Sequence, residues 1–128
     1  MIQRMNNFSQ SDIISIRDLS KDDLSQIYTK TNEIMKMPAD QRREIARGKT
    51  LGYLFFEPST RTRLSFQSAM ALIGGTSFGI ADATSSSVQK GESLADTVRI
   101  MAGYTDAIVY AILWMALVNL QLKFLINR

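Results

Sequence analysis

Leu51-Gly52-Tyr53-Leu54-Phe55-Phe56-Glu57-Pro58-Ser59-Thr60-Arg61-Thr62-Arg63-Leu64-Ser65-Phe66 is the stretch whose reading decides the fold. Its first half is an apolar run, Leu51 to Phe56, which predicts a buried strand. Glu57-Pro58 stops that strand, because proline lacks the amide that a ladder needs. Ser59-Thr60-Arg61-Thr62 then opens a helix on which Phe66, Met70 and Ile73 share one face, and Gly74-Gly75 ends it. A helix start leaves its first amides unpaired and carries partial positive charge, to which the hydroxyls and an arginine add. Four consecutive residues thus hold the donors that a phosphate needs. From spacing alone, an ordinary N-cap followed by solvated arginines explains the same residues equally well.

Upstream, Met1 to Ser11 is polar and reads as a loose arm. Ser20-Lys21-Asp22-Asp23 has the form of a capping box and predicts a helix to about Met37. That helix should bury Leu24, Ile27, Tyr28 and Ile34, with Met35 and Met37 as core filler. Pro38 ends it, and a short basic helix, Gln41 to Arg47, precedes Gly48; Arg42, Arg43 and Arg47 read as a solvated face.

Downstream, Thr76 to Ala81 alternates as a second strand, and Asp82 to Glu92 is a polar loop. Ser93 to Ala102 is helical, with Leu94, Val98 and Met101 on one side and Gly103 at its end. Asp106 to Tyr110 reads as a third strand. Strands separated by helices predict an α/β fold, a parallel sheet flanked by helices. Ligands of such sheets sit beyond the carboxyl ends of the strands, where Ser59 to Thr62 falls. Read alone, Ser85-Ser86-Ser87-Val88-Gln89-Lys90-Gly91-Glu92 is a flexible linker followed by a turn.

Composition narrows the chemistry. At 128 residues and 45% apolar content, the chain suits one domain with a core. The net charge of +3 is slight and its lysines and arginines are scattered, which favours small anionic ligands over nucleic acid. Cysteine and histidine are absent, so no disulfide framework, zinc site or imidazole base is available from this chain. The missing disulfides fit a reducing cytoplasm, and no apolar signal core at the N-terminus suggests export. No cofactor and no metal are expected.

Phe55-Phe56-Glu57-Pro58-Ser59-Thr60-Arg61-Thr62 resembles the signature of the aspartate and ornithine carbamoyltransferases, F-x-[EK]-x-S-[GT]-R-T, and Arg63-Leu64-Ser65-Phe66 continues the likeness. The run from Ser85 to Thr97 is similar to a second diagnostic stretch of the aspartate enzymes. Its Ser-x-x-x-Lys-Gly-Glu pattern favours them over the ornithine ones. The resemblance implies a carbamoyl-phosphate-binding domain that serves carbamoyl transfer to L-aspartate in pyrimidine synthesis. Ser59, Thr60, Arg61 and Thr62 would bind the phosphate, with Arg61 stabilising leaving-group charge. Ser86 and Lys90 would reach the active site of the neighbouring subunit in a homotrimer.

The resemblance covers about Ile13 to Val109. After Asp106 to Val109 the family continues with an apolar residue and then Arg-His-Pro, whereas this chain reads Tyr110-Ala111-Ile112-Leu113-Trp114-Met115. The fold is therefore expected to be incomplete: a partial carbamoyl-phosphate domain over 1–109, an atypical apolar C-terminal tail over 110–128, and no aspartate-binding domain. The genetic code suggests a frameshift. Reading one base earlier forces Asp-Gly across Trp114 to Ala116 and permits Ile-Arg-His-Pro-Leu across Val109 to Leu113. Taken at face value, Ala107 to Ile126 has the length of a membrane span. Its first residues belong to the third strand and Asn119, Gln121 and Lys123 interrupt it, so no span is expected. Two functions follow as alternatives: an aspartate carbamoyltransferase, or a non-catalytic fragment that binds phosphate-bearing ligands or joins intact subunits.

Overall fold

The computed structural model describes residues 12, 13, 15–57, 59–81 and 93–111. The chain divides into two compact units, Met1–Met37 and Pro38–Arg128. In the first, a 3-10 turn, Ile16–Asp18, precedes helix α1, Lys21–Lys36. The expected capping box is present: the Asp23 amide donates to Ser20 Oγ at 3.1 Å and the Ser20 amide to Asp23 Oδ2 at 2.9 Å. Burial along α1 departs from the prediction. Leu24 and Ile34 are half-buried, but Ile27, Tyr28 and Met35 are exposed, the last two to 70% and 69%. A periodic apolar stripe marks a face that can be covered and does not supply the cover.

The second unit opens with α2, Ala39–Arg42, much shorter than the predicted Gln41 to Arg47 helix. Beyond Arg42 the amides of Glu44, Ile45 and Arg47 reach back three residues, to Gln41, Arg42 and Glu44. That is the tighter 3-10 spacing, which does not propagate far. Arg43 and Arg47 are exposed as expected, with Arg47 paired to Glu44 at 3.0 Å. Arg42 is not solvated: it is half-buried, and its Nε is enclosed with no hydrogen-bond partner among the described residues.

Three parallel strands follow, β1 (Thr50–Phe55), β2 (Thr76–Ile80) and β3 (Ala107–Ala111), in the order β2-β1-β3. Tyr53 stands opposite Gly79 on one side and Val109 on the other. As the central strand, β1 is covered on both faces, and Gly52 to Phe55 are all buried. This is why its sequence is continuously apolar and does not alternate. On one face Leu54 packs with Val98 and Met101 of α4 (Leu94–Tyr104), with Ile80, Leu94, Ile108 and Tyr110 around them. Burying a leucine as fully as Leu54 contributes about 1.5–3 kcal/mol. Gly52 lets α4 come close, since a Cβ there would lie 2.7 Å from Met101 Cγ. On the other face Tyr53 and Phe55 meet edge to face, with ring centroids 6.4 Å apart.

Helix α3, Thr60–Leu72, joins β1 to β2 and packs on both. Its inward face keeps two of the predicted residues, Met70 and Ile73, both half-buried, but not Phe66. Phe66 is 40% exposed, and Arg63, Gln67 and Met70 turn towards the interior. The Arg63 guanidinium lies over the Tyr53 ring, 6.0 Å from its centroid. Gly74 ends the helix as expected, at φ +88°, with Gly75 N–H donating to Met70 O and Gly74 N–H to Ala71 O. These two bonds make a Schellman motif, which needs the left-handed residue. Helix α4 differs at its end: Gly103 does not stop it, and it runs on to Tyr104 with Thr105 as cap.

From β1 the chain steps to one side for β2, then crosses back past β1 for β3. The strand order reverses at β1, so the space beyond the carboxyl ends of β1 and β3 is the topological switch point where ligands of such sheets bind.

Candidate functional site

The residues that leave β1 at the switch point are those the sequence singled out. The Phe56 amide still donates to Ala111 O at 3.1 Å, so β1 and β3 stay paired to the mouth. Ser59 is the N-cap of α3, half-buried, with φ −140° and ψ 65°. Pro58 lies outside the described residues. The first helical bond runs from the Arg63 amide to Ser59 O at 3.0 Å, so the amides of Thr60, Arg61 and Thr62 precede the ladder.

What distinguishes this helix start is what is missing from it. The Ser59 side chain makes no capping bond, and the first turn contains no acid. The side chains of Thr60, Arg61 and Thr62 are exposed and make no hydrogen bond or ion pair among the described residues. Among the described residues, three amides, three hydroxyls and one guanidinium are therefore uncommitted within one turn. The N-terminal end of the helix dipole adds its partial positive charge. Such an arrangement is a ready-made anion site, and two negatively charged oxygens suit it better than one.

Arg63, only two residues from Arg61, is engaged elsewhere. Besides lying over Tyr53, it donates from Nη1 to Gln67 Oε1 at 3.2 Å. Sequence reasoning placed Arg63 in the motif without a task. Nothing in its local pattern shows that it turns inward, because that depends on Tyr53, ten residues earlier in the neighbouring strand.

The structure thus gathers Ser59, Thr60, Arg61 and Thr62 in one turn at the mouth of the sheet. Ser86 and Lys90 lie outside the described residues, between the end of β2 and the start of α4. At the opposite end of the sheet, Lys49 Nζ donates to Asp106 Oδ1 at 2.8 Å and the Thr50 amide to Asp106 Oδ2 at 2.9 Å. The Lys49 bond, then the Thr50 amide, hold the Asp106 carboxyl below its usual range, and the same pair raises Lys49. This clamp ties the start of β1 to β3 and takes no part in the anion site. Among the described residues no group of three His, Cys, Asp or Glu side chains is placed to hold a metal ion. No helix among them is long and apolar enough to cross a membrane.

Comparison with known proteins agrees with this fold. The family model for the carbamoyl-P binding domain of aspartate/ornithine carbamoyltransferases matches residues 11–119. The aspartate carbamoyltransferase catalytic subunit of Nitrosopumilus maritimus is 67% identical over 105 residues, which are 82% of this chain and 34% of that protein. The solved catalytic subunit of M. jannaschii aspartate transcarbamoylase superposes with a TM-score of 0.76 at 36% identity, over 88% of this chain and 38% of that one. Aspartate transcarbamoylase from Trypanosoma cruzi in complex with carbamoyl phosphate and aspartate gives a TM-score of 0.70 at 32% identity, over 79% of this chain and 33% of that one. The chain spans about a third of the length of the relatives it matches. By motif, topology and sequence alike, the chain belongs to the aspartate/ornithine carbamoyltransferase family, of which it carries the carbamoyl-P binding domain.

Proposed function

We propose that this chain supplies the carbamoyl-phosphate half of an aspartate carbamoyltransferase site. The observation that carries the reading is the uncapped, acid-free start of α3 at the switch point, with Ser59, Thr60, Arg61 and Thr62 around it. The amides and hydroxyls hold the phosphate of carbamoyl phosphate. The amine of L-aspartate then attacks the carbamoyl carbon, the bond to the bridging oxygen breaks, and phosphate leaves as the amine gives up a proton. Negative charge grows on the bridging oxygen, and the guanidinium of Arg61 stabilises it more in the transition state than in the ground state. In this reading Ser86 and Lys90 serve the neighbouring subunit of a cytoplasmic homotrimer, Lys90 adding a second cation. No covalent intermediate is required, so the absence of cysteine and histidine is no obstacle to phosphate release.

A second reading concerns the chain as written. Ala111 ends β3 opposite Phe55, at the mouth of the site, and Ile112 follows it, where the family's Arg-His would stand. Neither side chain offers a donor to the carbamoyl group. We therefore infer a reading-frame change near Val109, a family-like domain over 1–109 and a non-family tail over 110–128. As written, the chain binds the phosphate end of the ligand without turning it over.

Calorimetric titration with carbamoyl phosphate tests the site. Arg61→Ala should weaken binding by about 1.5–3 kcal/mol, the cost of one charge-assisted contact. Arg43→Ala, also exposed and basic, should change it little. Equal losses would show that the basic surface, and not the helix start, holds the anion.

A further inference from the structure

Arg63 is half-buried where Arg61 is exposed, and its placement gives it a role of its own. Its backbone and side chain are both tied down. The amide closes the first helical bond onto Ser59 O at 3.0 Å. The guanidinium lies 6.0 Å from the centroid of the buried Tyr53 ring and donates to Gln67 Oε1 at 3.2 Å. Its charge sits in the first turn of a helix whose dipole disfavours cations there. The electron-rich face of Tyr53 offsets that cost. The rest of α3 grips the sheet weakly, for none of its side chains is fully buried.

We propose that Arg63 is a positioning residue: by docking on Tyr53 of β1 it fixes the first turn of α3, and so the aim of the Thr60, Arg61 and Thr62 amides at the anion. It does not touch the anion itself, since its guanidinium is turned towards the sheet. This inference rests on the reading of the α3 start as the phosphate site and adds the device that holds it in register. A turn that is not docked must be ordered when the ligand binds, and that ordering is subtracted from the affinity.

The test is a titration of the intact 128-residue chain with inorganic phosphate, at a temperature where circular dichroism shows each variant folded. Arg63→Met keeps the stem and removes the guanidinium; it should weaken binding about five- to tenfold and speed hydrogen exchange at the Thr60, Arg61 and Thr62 amides. Arg63→Lys, still a cation over the ring, should restore affinity to within about twofold. Tyr53→Leu should lose the same factor as Arg63→Met, and the double variant no more than either, because the two share one contact. A purely structural role would lower the melting temperature and leave the affinity of the folded protein unchanged, which would overturn the proposal. A loss for Arg63→Met with none for Tyr53→Leu would also overturn it, because Arg63 would then meet the anion directly. If Tyr53→Leu does not fold, the two Arg63 variants and the amide exchange decide. Phosphate binding by the parent chain that Arg61→Ala removes and Arg63→Met leaves intact would sink this inference alone. No binding by the parent would sink the reading of the site and this inference together.

Discussion

Helices α3 and α4 both begin at a serine N-cap on the same small sheet, yet one first turn is closed by side chains and the other is not. At α4, Ser93 Oγ accepts the Asp96 amide at 3.2 Å and donates to Asp96 Oδ2 at 2.6 Å, and Arg99 reaches Asp96 Oδ1 at 2.7 Å. Amide, hydroxyl and charge are satisfied within the turn. At α3 the residue three beyond the serine is Thr62 in place of an acid, the Ser59 hydroxyl makes no cap, and Arg61 has no partner among the described residues. A closed start is worth about 0.5–2 kcal/mol to a helix. The open start of α3 forgoes that stability, and under the proposed function it keeps the donors for a ligand. The two starts differ in the acid and in the backbone of the cap, since Ser93 is extended at ψ 146° and Ser59 stands at ψ 65°.

The largest effects should appear where each region meets chemistry. In a chain extended through an aspartate-binding domain, Arg61→Ala and Lys90→Ala should each lose about 10²–10³ in rate. The α3 start would serve its own chain, whereas the loop before α4 would serve the neighbour. Equal mixtures after subunit exchange should therefore recover about a quarter of the sites, by the symmetry of a ring. No recovery after verified exchange would place both residues in one chain's site.

The glycines of the two helices sharpen the contrast at their far ends. Gly74→Ala should cost about 1–3 kcal/mol, since Gly74 has φ +88° and a Cβ there would overlap the Arg43 carbonyl. Gly103→Ala should instead stabilise by up to about 1 kcal/mol, because Gly103 is helical with nothing within 4 Å of its would-be Cβ. Chemical denaturation of both variants checks the opposite signs.

The smallest effect belongs to the Lys49–Asp106 clamp, which is solvent-exposed and screened. The Asp106 carboxyl is lowered by folding, so its contribution is fully present above its unfolded value of about 4 and is lost as pH falls through the folded value. Lys49 is raised, so its contribution is present below about 10.4 and is lost as pH rises through the folded value. Asp106→Asn should remove part of the acid-side slope of stability, and added salt should diminish the difference.

Much of this was legible in the sequence because the features are local. The apolar run Leu51 to Phe56, the Ser20 box, the Gly74 stop and the three strands each write their structure within a few neighbouring residues. The parallel sheet followed from the alternation of strands and helices. On α3 the apolar spacing places Met70 and Ile73 on the inward face as the structure has them, but not Phe66, while Arg63 lies over a tyrosine of the neighbouring strand. Tyr28 and Met35 carried the right period for burial and remain exposed. The basic helix after Pro38 shortened because its amides settled for three-residue reach. The Ser59 to Thr62 turn was found by its residues, but its openness is a property of geometry: a serine N-cap can close or stay open, and only the backbone and the missing acid show which.

The central claim is that α3 begins open so that it can hold a phosphate. Thr62→Asp tests it most directly, because it writes the Ser-x-x-Asp pattern of α4 into the start of α3. The variant should fold at least as stably as the parent, gaining about 0.3–1 kcal/mol from an acid in the first turn of the helix. Its affinity for inorganic phosphate should fall about a hundredfold, as a carboxylate displaces one donor and repels the ligand. As the control, Ser93→Ala should lose about 1 kcal/mol of stability and keep the parent's phosphate affinity. Phosphate binding by Thr62→Asp as tight as the parent's, in a protein shown to be folded, would contradict the account.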